Sequence, residues 1–232
     1  MGIGNLLIML NSIQEKKHIS DYRNKTLAVD GYSWLHKAIY TSGYDIAVQN
    51  DNTKLLKFLM QKVSYMMQFN IKLIMVFDGD KLPSKDKTED KREANRKRKR
   101  EEAFELLQQG DYEKANRKFA ESIDVTPLMA YTTLNGIRES YPDIECIVAP
   151  YEADAQLAYL SKIGYVDGVI TEDSDLLPFG THCIITKLDQ NFECREIRKE
   201  NIKKSTDIDF STFDEVDFLC VCILSGCDYL AS

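Results

Sequence analysis

The chain has 232 residues, 44% of them hydrophobic and 29% charged, and carries a net charge of -7. That is enough apolar material for one sizeable core, which sets aside disorder as the overall state. No apolar run approaches a bilayer span, the amino terminus "MGIGNLLIMLNS" lacks a signal-peptide pattern, and the six cysteines form no CxxC pair or zinc-spaced Cys/His group, so the expectation is a soluble intracellular protein with buried free thiols.

Taken in chain order, the first strong signal is the apolar run "TLAVD", a predicted strand ending on Asp30. "GYSWLHKAIY" follows as a helix, with Trp34 and Leu35 as core residues and Tyr32 one turn in, where an aromatic ring could stack on a base. His36 reads as a helix-surface histidine. Residues 53 to 69 form a second helix, and "KLIMVFD" a second strand closing on Asp78. The charged, helix-favouring stretch from "KLPSKDKTED" to "DYEKANRKFAES" is too long for an ordinary connection. It predicts helices projecting from the sheet's edge, with Gly110 separating two of them.

Inside that stretch, seven of the ten residues of "KREANRKRKR" are Lys or Arg. Helical steps of seven, four and three place Lys85, Arg92, Arg96 and Lys99 on one face, which can grip phosphates or act as a solvated surface or nuclear-import signal. Beyond it come a helix over 126 to 139, the strand "IECIVAP" and a helix over 151 to 162 that opens with Glu152 and Asp154. The strand "GVIT" then runs into "EDSD". Read as extended chain, this segment turns Asp173 and Asp175 to one side and Glu172 to the other. "HCIITK" and "FECREI" predict a hairpin at the sheet edge. "STFDEVDFLCVCILSG" predicts a closing amphipathic helix capped by Ser211 or Thr212, followed by Asp228 in "SGCDYL".

Strands alternating with helices argue for an α/β fold with a mainly parallel central sheet. Ligand sites in such sheets lie beyond the carboxyl ends of the strands, where this chain repeatedly places acids. A lone Asp after a strand is usually a turn residue or a cap. The coincidence of Asp30, Asp78, Glu152, Asp154, Asp173, Asp175 and Asp228 suggests instead a site for two hard cations roughly 4 Å apart, clamping the oxygens of a phosphoryl displacement. All-oxygen ligation favours Mg2+, with Mn2+ as a substitute, over Zn2+.

"MGI", "AVDGYSWLHK", "VFDGDKLPSK", "APYEADAQLAYL", "ITEDSDLLPFG" and "ILSGCDYL", in this order and spacing, resemble the nuclease core of eukaryotic exonuclease 1. That group belongs to the flap endonuclease and XPG superfamily of structure-specific 5′ nucleases. The resemblance implies a single 5′-nuclease domain over residues 1 to 232 with a PIN-like α/β fold. Its parts would be an N-terminal XPG region over about 1 to 99, a helical arch over about 80 to 125 and an internal XPG region over about 138 to 230, the helix-hairpin-helix region being absent from this sequence.

The same resemblance implies a Mg2+-dependent 5′ to 3′ exonuclease with flap-cleaving ability, leaving 5′ phosphates. Its substrate would be double-stranded DNA with a 5′ end, nick, gap or flap. Action would be as a monomer in the nucleus, in DNA repair and recombination, with mismatch-repair proteins as partners. The seven acids match metal ligands, Lys85 and Arg92 match residues contacting the scissile phosphate, and Tyr32 matches an aromatic stacking on the terminal base. His36 matches a residue near the duplex junction and Gly2 a glycine packed near the active centre. Arg96 is the further DNA-contact candidate of the basic face. The rival readings are a dedicated flap endonuclease and a truncated, non-catalytic DNA-binding relative.

Overall fold

The computed structural model describes residues 2–80, 82 and 86–226, with only the backbone described for residues 86–90. Two compact units emerge: Met1–Asp30, Met66–Lys81 and Ile147–Ser232 form one, and Gly31–Tyr65 with Leu82–Cys146 the other. The strands are β1 (Glu15–His18), β2 (Thr26–Asp30), β3 (Lys72–Phe77), β4 (Glu145–Val148), β5 (Gly168–Ile170), β6 (Cys183–Thr186) and β7 (Glu193–Arg198). The α-helices are α1 (Leu6–Met9), α2 (Gly31–Gln49), α3 (Thr53–Met67), α4 (Asp86–Gln108), α5 (Tyr112–Ser122), α6 (Pro127–Ser140), α7 (Ala153–Lys162) and α8 (Glu215–Leu224). No helix among the described residues is long and apolar enough to cross a membrane.

The first unit is built on a sheet of order β1-β7-β6-β5-β2-β3-β4. Strands β3, β2, β5 and β6 run parallel, and β7 turns back against β6. After β2 the chain builds outward through β3 and then returns to place β5 on the other side of β2, so the strand order reverses beside β2. A crevice opens at such a reversal, beyond the carboxyl ends of the strands.

The core follows from register. Ala28 pairs with both Ile74 and Val169, Val169 with Ile184, and Ile184 with Ile197, so these residues form one row on one face. Against that row pack Leu157 and Leu160 of α7, Leu6 of α1 and Phe218 of α8, all buried. Each such side chain contributes about 1.5–3 kcal/mol on burial.

Two expectations are corrected. The hairpin β6–β7 does form, but β1 pairs antiparallel with β7 and takes the edge itself. Its sequence, EKKH, has no apolar signal, and salt bridges such as Lys16–Glu193 at 2.6 Å line the pairing. The cap of α8 is Asp214, whose carboxylate accepts from the amides of Val216 and Asp217 while Asp217 reaches back to the Asp214 amide. Ser211 instead bonds Asp209 through its hydroxyl.

The second unit is helical. Gly110, at φ +81°, separates α4 from α5 as expected, because the left-handed turn there suits a residue without Cβ. A small core of Ala103, Ala115 and Phe119 joins the two helices, and the ring of Phe119 meets Phe104 edge-on at 5.0 Å and Tyr44 at 6.0 Å. Trp34 and Leu35 are buried.

Candidate metal centre

Six of the seven predicted acids lie in the first unit at or shortly after the carboxyl ends of strands: Asp30 closes β2 and Asp78 follows β3, Glu152 and Asp154 open α7 after β4, and Asp173 and Asp175 follow β5. Asp30 is the last residue of β2 and only 6% exposed. Alternation puts it on the same face as Ala28, the face covered by α7. Asp78 follows β3, and its Oδ1 accepts from the Ala153 amide at 2.6 Å, so the acid of one strand end caps the helix that presents two others. Glu152 holds the N-cap position of α7, and Asp154 lies in its first turn, where the helix dipole favours negative charge.

Asp173 and Asp175 reach the site differently from the extended geometry expected. Residues Ser174–Leu176 form a short 3-10 helix with Asp173 as its N-cap, and the Asp173 carboxylate accepts from the Asp175 amide at 2.9 Å. Asp175 is 5% exposed. Glu172 points elsewhere, as expected: its carboxylate accepts from the Thr186 hydroxyl at 3.0 Å and the Lys187 amide at 2.9 Å, fastening the end of β6.

The acids act on one another. The Asp154 carboxyl is pushed up to about 9 from its ordinary 3.8, first by burial and then by the charges of Asp173, Asp30, Asp78 and Glu152. Among the described residues no three His, Cys, Asp or Glu side chains are placed to hold an ion as they stand. The donor set is all oxygen, which fits a hard divalent cation that keeps part of its water shell. Asp228, read as the seventh acid, lies outside the described residues, as does Lys85.

Three neighbours hold this edge in shape, two of which sequence reading missed. Thr171, 1% exposed, donates its hydroxyl to Asp30 Oδ2 at 3.0 Å and accepts from the Asp173 amide at 3.0 Å, linking two strand ends. Its only signal was a hydroxyl between a strand and the acids. Gly79 donates to Tyr151 O at 2.6 Å, and a Cβ there would run into Ala149 O. Gly2, a predicted site residue, sits at φ +90°, where a Cβ would collide with Asp173 Oδ1 and Ser174 Oγ and approach the Ser174 amide to 2.7 Å. Gly2 is therefore packed directly on the Asp173 turn.

The remaining predicted residues belong to the second unit. Tyr32 and His36 lie in the first half of α2, and Arg92 is exposed on α4. Burial lowers the His36 pKa, with Asp124 opposing and Arg92 and Arg96 reinforcing the shift. Arg96 is paired with Asp124 at 3.4 Å, and Lys99 with Glu121, so this part of the basic face is engaged within the unit.

The chain matches the XPG N-terminal domain over residues 1–99 and the XPG I-region over residues 143–228. It is 41% identical to exodeoxyribonuclease 1 of Schizosaccharomyces pombe over 233 residues, 99% of this chain and 40% of that protein. It is 38% identical to exonuclease 1 of Danio rerio over 232 residues, all of this chain and 28% of that protein. The chain therefore spans well under half the length of these relatives. Among solved structures, the catalytic core of Rad2 in complex with a DNA substrate superposes with a TM-score of 0.72 at 23% identity, covering 98% of this chain and 63% of that one, which shows a shared PIN-like nuclease fold. On this evidence the chain belongs to the flap endonuclease/XPG family and stands within it beside the exonuclease 1 proteins.

Proposed function

We propose that this chain is a divalent-metal-dependent 5′ nuclease of exonuclease 1 type. It would hydrolyse double-stranded DNA from a 5′ end, nick or gap and cut 5′ flaps, as a nuclear monomer serving DNA repair and recombination alongside mismatch-repair proteins. The observation that carries the reading is the placement of Asp30, Asp78, Glu152, Asp154, Asp173 and Asp175 at or just beyond the carboxyl ends of the strands, with Asp78 bonded to the α7 amino end and Asp173 to the Asp175 amide; the raised pKa of Asp154 accords with it.

Glu152 and Asp154 are assigned to one Mg2+ ion and Asp173 and Asp175 to a second, with Asp30, Asp78 and Asp228 completing the set. When bound, the two ions supply positive charge to the phosphate and lower the pKa of nearby water. The chain's own contribution is positional. Thr171 orients Asp30, the α7 amino end presents Glu152 and Asp154, and the 3-10 turn fixes Asp173 against Asp175. Lys85 and Arg92 are assigned to neutralise charge developing on the scissile phosphate. Tyr32 stacks on the terminal base, His36 and Arg96 contact the duplex, and Gly2, for want of a Cβ, packs close against the Asp173 turn beside the acids.

The test is Asp173→Ala assayed on a 5′-recessed duplex and a 5′-flap duplex in Mg2+. Hydrolysis of both should fall to background while DNA binding is largely kept. Activity close to that of the unmodified chain would sink the proposal, and a strong preference for the flap in the unmodified chain would make it a flap endonuclease instead.

A further inference from the structure

Helix α2 is broken in the middle. Thr41 and Ser42 both turn their hydroxyls back onto Ala38 O, at 2.7 and 3.0 Å, and Ser42 leaves helical geometry with φ -140° and ψ 23°. Hydroxyl back-bonding next to a Ser-Gly pair is a known cause of kinks. A kink strands backbone polar groups that must find new partners. Here α5 supplies them: Asn116 Oδ1 accepts from the Tyr44 amide at 2.8 Å, and its Nδ2 donates to Tyr40 O at 3.5 Å.

Gly43 makes that contact possible. A Cβ there would stand 2.5 Å from Asn116 O and from the Ala120 amide, so the backbone of α5 rests directly on α2. Helix α4 is tied to the same assembly. Arg100 donates to Ala47 O in α2 at 3.3 Å, Glu102 pairs with Lys118 of α5 at 2.7 Å, and Arg96 reaches Asp124 just past α5. Arg92 lies one turn before Arg96.

We infer that Asn116 is a positioning residue, whose amide clips the kinked α2 to α5 and thereby fixes Arg92 on α4 relative to Tyr32 and His36 in the first half of α2. The inference rests on the catalytic role proposed above for Arg92. An amide suits this place because it carries both the acceptor that Tyr44 needs and the donor that Tyr40 needs. A residue that served only stability would act equally with or without Arg92.

The experiment is steady-state cleavage of a 5′-recessed duplex in Mg2+ by Asn116→Ala, Arg92→Ala and the double variant, with amide hydrogen exchange on each protein. Asn116→Ala should lower kcat about tenfold and change KM less than about twofold, as a misplaced catalytic group does. In the Arg92→Ala background it should cost less than about twofold more. Exchange at the Tyr44 amide and along α5 should quicken while β2 and β3 stay protected. Asn116→Asp, which keeps the acceptor and loses the donor, should fall between the two and covers the case in which alanine unfolds the unit. An unchanged kcat in Asn116→Ala, or an equal loss in both backgrounds, overturns the inference. Arg92→Ala with full activity would remove the Arg92 role and the inference with it, whereas unchanged exchange would refute the clip alone.

Discussion

Thr171 shows what one hydroxyl does among carboxylates. It donates to Asp30 Oδ2 and accepts from the Asp173 amide, so it fixes one acid by its side chain and the other by its backbone. A hydrogen bond to a charged group contributes roughly 1.5–3 kcal/mol, and its loss here would remove one restraint on the orientation of Asp30. Thr171→Val, which keeps the shape and removes the hydroxyl, should therefore lower kcat roughly tenfold or more in Mg2+, while Thr171→Ser should recover most of it. Equal rates for both variants and the unmodified chain would show that Asp30 is oriented by other means. The strand ends that carry Asp30 and Asp78 were readable in the sequence because each closes an apolar run. Thr171 was not, since one Thr after a strand has no pattern to mark it. Gly79 was equally silent, its role lying in the approach of Ala149 O from a segment distant in sequence.

At the scale of elements, the strands closing on Asp30 and Asp78 and the helix opening at Glu152 were legible because apolar runs and turn residues bound them sharply. The failures have physical reasons. Strand β1 is held by pairing with β7 and by surface charge, neither of which leaves hydrophobic periodicity in EKKH. The segment after β5 was read as extended from its alternation, but an Asp two residues before a free amide favours a capped turn, and Asp173 takes that role. At α8, several residues could have served as cap. Asp214 wins because Asp217 three residues later completes a reciprocal capping box. Asp214→Ala should cost about 1 kcal/mol in denaturant unfolding, whereas Thr212→Ala should stay within about 0.5 kcal/mol. A larger loss for Thr212→Ala would return the cap to the position first expected.

At the scale of the whole molecule, composition misled in one respect and informed in another. A net charge of -7 argues against a polyanionic partner, yet the charges are segregated, with acids at the strand ends of one unit and Lys and Arg concentrated on α4 of the other. What the sequence could not show is how the acids respond to one another. Asp154, raised to about 9, holds its proton more tightly in the folded chain than in the unfolded one, where its ordinary value is 3.8. Its contribution to the cation-free fold is therefore favourable at low pH and is lost as pH rises from about 4 to about 9. A bound cation needs the ionised form, so binding at neutral pH must release that proton, and affinity should climb until about pH 9.

Calorimetric titration of Mg2+ into the chain at pH 7, in two buffers of different ionisation enthalpy, reads affinity and proton release together. Binding should release about one proton, tighten as pH rises toward about 9, and lose most of its affinity in Asp173→Asn. Absence of cation binding, or binding without proton release that Asp173→Asn leaves unchanged, would contradict the assignment of these carboxylates as a metal centre.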